Sequence, residues 1–282
     1  MRKQLTGVFE GGLSVMARPL LSYFLLSLSP LFVSSVSGKD SYAWHAAEVS
    51  GDEKAVLVLC PGMNGDGAFF FNESPWMDFA AAHNLGVIAI AFKSDADAMY
   101  GEAREGYYWP EQGSGDALLG AIRKTYGEVV PILIYGFSGG AHFASRFAEW
   151  KPDRVIAWAA YSAQFWDSPH PSETNPPGIV ACGEYDGPRW HPSFAYFYEG
   201  RQQGKPWVWV SLPETGHYRH GAFEQFVRDF FTGVYTKAGP AAFADVESGE
   251  RFEAPDESIQ SELLAIFPDE TLRKAWREVH AF

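Results

Sequence analysis

Residues 129–140 read Val-Val-Pro-Ile-Leu-Ile-Tyr-Gly-Phe-Ser-Gly-Gly. The first seven, Val129–Tyr135, are apolar and rich in β-branched side chains, the composition of a strand covered on both faces. The chain then changes abruptly to small residues around one serine: Gly136-Phe137-Ser138-Gly139-Gly140. A helical pattern runs from Gly139 to Trp150 and is stopped by Pro152. A strand turning sharply into a helix is the context in which Gly-x-Ser-x-Gly presents a nucleophile. The small flanking residues permit the turn, and the helix N-terminus adds a positive field below the hydroxyl.

Outward from this stretch, strands and helices alternate. Lys54–Cys60, Gly86–Phe92, Val155–Tyr161, Ile179–Cys182 and Trp207–Leu212 read as further buried strands. Trp76–His83, Gly115–Tyr126 (with Ser114 as a candidate cap), Ser193–Gln203 and Ala222–Val234 read as helices. Strands this uniformly apolar predict an α/β fold, with a mostly parallel central sheet and helices on both faces. Residues 238–262 are acidic and weakly patterned, and read as a surface excursion before a helix near Asp269–Val279. Residues 39–237 are therefore assigned to one catalytic domain, and 238–282 to a C-terminal extension packed on it.

The 282 residues are 46% hydrophobic and 20% charged, which excludes intrinsic disorder. The 35 acidic residues outnumber the 22 basic ones, giving a formal charge of −13. No nucleic-acid partner is expected of so acidic a chain, because backbone binding needs Lys and Arg. Two cysteines, Cys60 and Cys182, cannot build a disulfide framework or a four-cysteine zinc site. Arg2, Lys3 and Arg18 precede an apolar run, Leu20–Val33, and then small residues to Gly38. That order reads as a secretory signal peptide over 1–38, starting at Met1 or Met16. The expected location is secreted or periplasmic, with no stable membrane anchor after cleavage; the run is too short to span a bilayer comfortably.

A serine hydroxyl needs a general base, and the base needs an orienting carboxylate. For this architecture the order is Ser, acid, His. After the strand ending at Cys182 comes Gly183-Glu184-Tyr185-Asp186-Gly187. Asp186 is the expected acid, with Glu184 as competitor. After the strand ending at Leu212 comes Thr215-Gly216-His217-Tyr218-Arg219-His220. His217 is the expected base, with His220 as the alternative. Acyl transfer places negative charge on the carbonyl oxygen, so backbone donors must face it. The expected donors are the N–H groups of Gly139 and of Met63, in the loop Pro61-Gly62-Met63-Asn64-Gly65-Asp66-Gly67. That loop lacks the Gly-Lys-Ser/Thr ending of a phosphate loop, and no His-Glu-x-x-His spacing occurs. No cofactor or metal is expected.

With these motifs in family order, the chain resembles the α/β-hydrolase superfamily over roughly residues 50–235. Within it, the chain looks like secreted single-domain esterases of the polyhydroxyalkanoate-depolymerase and feruloyl-esterase kind. It departs from them at Pro61-Gly62, where the family often has His-Gly. The resemblance implies hydrolysis of a small-molecule or polymer-borne carboxylic ester through an acyl-enzyme. Peptidases and acyltransferases share the machinery, and a catalytically inactive binding protein is a third reading. The connection from Tyr161 to Gly178 leaves no room for a lid domain. Tyr107, Tyr108 and Trp109, with Phe165 and Trp166, are candidates for a shallow substrate wall, or else they pack a long loop onto the core. The family's strand order also sets Cys60 and Cys182 about three strands apart, roughly 14 Å and too far for a disulfide.

Overall fold

The computed structural model describes residues 34–36, 40–47, 52–95, 104–127, 130–165, 167–237, 239, 241–254 and 259–282. Of the expected signal peptide only Ser34–Val36 falls within that set; the remainder lies outside the described residues.

The apolar runs become the strands β3 (Ala55–Cys60), β4 (Leu85–Lys93), β5 (Ile132–Phe137), β6 (Val155–Tyr161), β7 (Gly178–Gly183) and β8 (Trp207–Leu212). They are parallel to one another. Two strands precede them, β1 (Ser34–Val36) and β2 (Asp40–Ala47), with β2 antiparallel to β4. The sheet order is β1-β2-β4-β3-β5-β6-β7-β8. β3, β7 and β8 are buried at every residue, so both faces of the sheet are covered. The covering helices are α1 (Ser74–Ala82), α2 (Ser114–Tyr126), α3 (Gly139–Trp150), α4 (Gly187–Gln202), α5 (Gly221–Thr236) and α6 (Glu270–Val279).

Three boundaries differ from the sequence reading for identifiable reasons. Ser114 is the first residue of α2 and does not cap it; its hydroxyl donates to the Tyr107 carbonyl at 2.8 Å. α4 begins six residues before Ser193, because Pro192 sits inside it. A proline there loses one helical bond, and the packing of Trp190, Phe194 and Phe197 on Trp209 outweighs that loss. The acidic excursion contains β9 (Ala242–Asp245) and β10 (Arg251–Phe252), which form a small antiparallel sheet with β11 (Leu264–Phe267) in the order β10-β9-β11. Ala242, Ala244, Leu264, Ala265 and Phe267 are its buried residues.

β8 has no strand on its outer side, and an unpaired edge invites association. The C-terminal segment closes it. Trp276 Nε1 donates to the Trp209 carbonyl at 2.8 Å, and Ala281 N–H to the Ser211 carbonyl at 2.7 Å. Ser211 N–H donates to His280 Nδ1 at 3.0 Å, and His280 Nε2 donates to the Val246 carbonyl at 3.0 Å. Both ring nitrogens are thus used by a neutral imidazole, and burial pulls the His280 pKa down to about 4. Cys60 ends β3 and Cys182 is the penultimate residue of β7, three strands away, and both are buried free thiols.

A histidine whose folded pKa lies below its unfolded value of 6.5 keeps its full contribution above pH 6.5. That contribution declines as pH falls toward 4, by roughly 3 kcal/mol in the limit. Urea unfolding between pH 4 and 7.5 should therefore show stability rising with pH, and His280→Gln should flatten the rise. An unchanged slope in the variant would contradict the neutral, doubly bonded imidazole.

Candidate active site

The small residues around Ser138 are explained by what surrounds them. A Cβ on Gly136 would lie 2.1 Å from the Gly140 carbonyl oxygen. One on Gly140 would lie 2.3 Å from the carbonyl oxygens of both Cys60 and Pro61. The elbow therefore presses against the end of β3 in a way only glycine allows. Ser138 itself has φ 54° and ψ −118°, a strained conformation for a residue with a side chain. Its N–H is held by the Tyr161 carbonyl at 2.8 Å.

From this elbow Ser138 Oγ lies 3.0 Å from His217 Nε2. His217 Nδ1 lies 2.7 Å from Asp186 Oδ2. A carboxylate only accepts, so Nδ1 carries the proton and Nε2 is left to accept from the serine hydroxyl. Asp186 is 3% exposed, and its other oxygen takes the Arg189 guanidinium at 2.9 Å. His217 stands on the ring of Phe137, centroids 5.1 Å apart and stacked.

The two main-chain amides expected to serve as oxyanion donors belong to segments that meet beside the elbow. Gly139 opens α3, where a helix leaves its first N–H groups unpaired. The Met63 nitrogen would sit 2.8 Å from a Cβ on Gly139, so the two main-chain segments lie side by side. Among the described residues no hydrogen bond is made to the Met63 N–H.

No family profile and no curated protein sequence matches the chain. Solved structures do resemble it. The Pyrococcus furiosus esterase Pf2001 superposes with a TM-score of 0.55 at 12% identity, over 75% of this chain and 93% of that one. The carboxylesterase EstE1, cloned from a metagenomic library, gives 0.54 at 15% identity, over 76% and 90%. A ferulic acid esterase gives 0.53 at 17% identity, over 71% and 95%.

The chain has the α/β-hydrolase fold.

In that fold the remaining candidates occupy definite places. Glu184 accepts from the Glu214 N–H at 3.0 Å and does not reach His217. His220 caps α5, its Nδ1 accepting from the Phe223 N–H at 3.3 Å. Of the aromatic residues offered as a substrate wall or as loop packing, Tyr107, Tyr108 and Trp109 are buried. Their loop is nailed to the core by polar bonds that hydropathy does not reveal. Tyr107 N–H donates to Ser94 Oγ at 2.7 Å, and Arg146 donates to the Tyr108 carbonyl at 3.2 Å. The same guanidinium lies 3.7 Å over the Trp109 ring. Phe165 is buried too, its ring stacked on Tyr196. Trp166 lies outside the described residues.

Several positioning groups escape a motif search. Asn64 exchanges two hydrogen bonds with Ser94 at the end of β4, at 2.8 and 2.9 Å, and so ties down the loop that carries Met63. The buried Tyr107 hydroxyl accepts from the Asn64 N–H at 3.4 Å, below that loop. The only sequence signal is Asn64-Gly65, a pair suited to left-handed backbone; Asn64 has φ 55°. Arg219, two residues after His217, binds Glu73 and Glu224 at 2.6–2.7 Å. Tyr135 OH and Trp76 Nε1 also donate to Glu224. Among the described residues no cluster of His, Cys, Asp and Glu could hold a metal ion.

Strain at Ser138 is testable without any assay of activity. Ser138→Gly should unfold at higher denaturant than Ser138→Ala, by about 1 kcal/mol, because only glycine relaxes at positive φ. An alanine variant as stable as the glycine one would show that the elbow stores no strain.

Proposed function

We propose that the protein is an exported serine hydrolase that cleaves carboxylic esters, small or polymer-borne, through an acyl-enzyme. The observation that carries this reading is the unbroken chain Ser138 Oγ–His217 Nε2, His217 Nδ1–Asp186 Oδ2, at 3.0 and 2.7 Å, on a strained elbow. The N-terminal pattern of charge, apolar run and small residues supports export.

The geometry suits a two-step displacement. His217 Nε2 takes the hydroxyl proton as Ser138 Oγ attacks the ester carbonyl carbon. Negative charge moves to the carbonyl oxygen, where the Met63 and Gly139 N–H groups stabilise it. As the intermediate collapses, the alcohol oxygen leaves with the proton from His217, and the acyl group stays on Ser138. Water then repeats the sequence: His217 removes its proton, the hydroxide equivalent adds to the acyl carbon, and Ser138 leaves with the proton restored. Asp186 holds the tautomer throughout and stabilises the transient imidazolium.

Purified protein should hydrolyse p-nitrophenyl esters of short acids in preference to an aminoacyl anilide. Ser138→Ala should lower turnover by roughly 10⁴–10⁶-fold. Ester turnover surviving in that variant would overturn the mechanism, and a preference for the anilide would favour the peptidase reading.

A further inference from the structure

Five large hydrophobic residues are exposed among the described residues: Met63, Phe69, Tyr185, Tyr218 and Phe282. Their places are not scattered. Tyr185 is bonded in sequence to Asp186, Tyr218 to His217, and Met63 carries one of the oxyanion amides. Phe69 lies under Arg219, its centroid 5.0 Å from the guanidinium carbon. Only Phe282 is at the far end of the chain. Isolated exposed apolar residues need no explanation, but a group of them around one site marks a contact surface.

The two tyrosines belong to one side of that site. Tyr185 N–H donates to the Thr215 carbonyl at 2.9 Å, joining the acid loop to the base loop. The Tyr218 ring lies over Gly216, with Cε1 3.6 Å from the position a Cβ would take there. The Tyr218 ring therefore flanks residues 215–217, and the main chain of Tyr185 is tied to the same segment. Tyr218 is held there by its carbonyl, which accepts from the Tyr161 hydroxyl at 2.8 Å. Phe137, stacked on His217 and 3.7 Å from a Cβ built on Gly62, sets a further ring beside the imidazole. Tyr185 and Tyr218 are 70% and 53% exposed, so their faces are open to a partner.

Chemistry decides which part of the ester meets that side. His217 must protonate the departing alcohol oxygen, so the alcohol lies by the imidazole. The carbonyl oxygen is drawn instead toward Met63 and Gly139. We propose that Tyr185 and Tyr218, with Phe137 beneath, form a subsite for the leaving alcohol, and that this subsite selects alcohols bearing a flat apolar ring. Tyrosine fits such a role, giving large contact area with few rotatable bonds and an edge that tolerates water. The inference rests on the ester-hydrolase reading and specifies the half of the substrate that the reading leaves open.

The test uses the full chain and three acetate or ethyl esters. Benzyl acetate against ethyl acetate varies the alcohol; ethyl phenylacetate against ethyl acetate varies the acid. Wild-type protein should favour benzyl over ethyl acetate in kcat/KM. The doubly substituted Tyr185→Ala, Tyr218→Ala chain should lose about tenfold in that ratio, chiefly through KM. Its phenylacetate-to-acetate ratio should keep the wild-type value. A benzyl-to-ethyl ratio unchanged by the substitutions overturns the subsite while leaving the ester-hydrolase reading intact. An equal fall in both ratios also overturns it, since the tyrosines would then act on the site as a whole. Failure of the wild-type chain on all three esters overturns both readings together.

Discussion

The contact on which the site depends is between main-chain atoms. The α-carbon of Gly140 lies so close to the carbonyl oxygens of Cys60 and Pro61 that a methyl group there would fall within 2.3 Å of each. Such an approach is open only to glycine. It brings the start of α3 against the end of β3, two segments separated by some eighty residues. Two consequences follow from the same contact. The amides of Gly139 and Met63 come side by side, and Ser138 is forced to positive φ at the apex. A side chain at Gly136 would disrupt the arrangement from the opposite side, 2.1 Å from the Gly140 oxygen.

Around this backbone feature the loops are fixed by partly buried polar interactions. Arg219 satisfies two carboxylates at once, and so ties the base loop to α5 and to the residue preceding α1. Burial opposes its charge, but the bonds from Glu73 and Glu224 more than compensate, and its pKa rises. A charge held in this way is costly to leave unpaired. Asp186 is arranged similarly: one oxygen orients His217 and the other meets Arg189, so the carboxylate is held at both ends. Asn64 completes the set by fastening the Met63 loop to Ser94. The three loops that meet at Ser138 are each anchored by a side chain outside the Gly-x-Ser-x-Gly motif.

What the sequence disclosed and what it concealed divide along physical lines. Long apolar runs and the abrupt change at Gly136 carry local signals, and β6, α3 and β8 fall on the residues the periodicity indicates. Ser138, Asp186 and His217 each follow a buried strand, a position that can be read from one sequence. Tyr107, Tyr108 and Trp109 could not be assigned in the same way, because composition reports that rings are present and not which way they face. Their burial is decided by Ser94 and Arg146, distant in sequence. Arg219 and Glu73 are likewise separated by 146 residues and have no pattern to announce them. The short strands β9 and β10 lie in an acidic stretch where the buried side chains of β9, Ala242 and Ala244, are too small to raise its hydropathy.

The proposed function requires that Ser138 be made nucleophilic by the groups around it, whatever ester it meets. An alkyl fluorophosphonate reports this directly, since it adds only to a serine whose proton is accepted and whose oxyanion is stabilised. Intact-mass analysis after treatment should show one adduct per chain, and peptide mapping should place it on Ser138. An unmodified chain, or an adduct on any other residue, would contradict the claim.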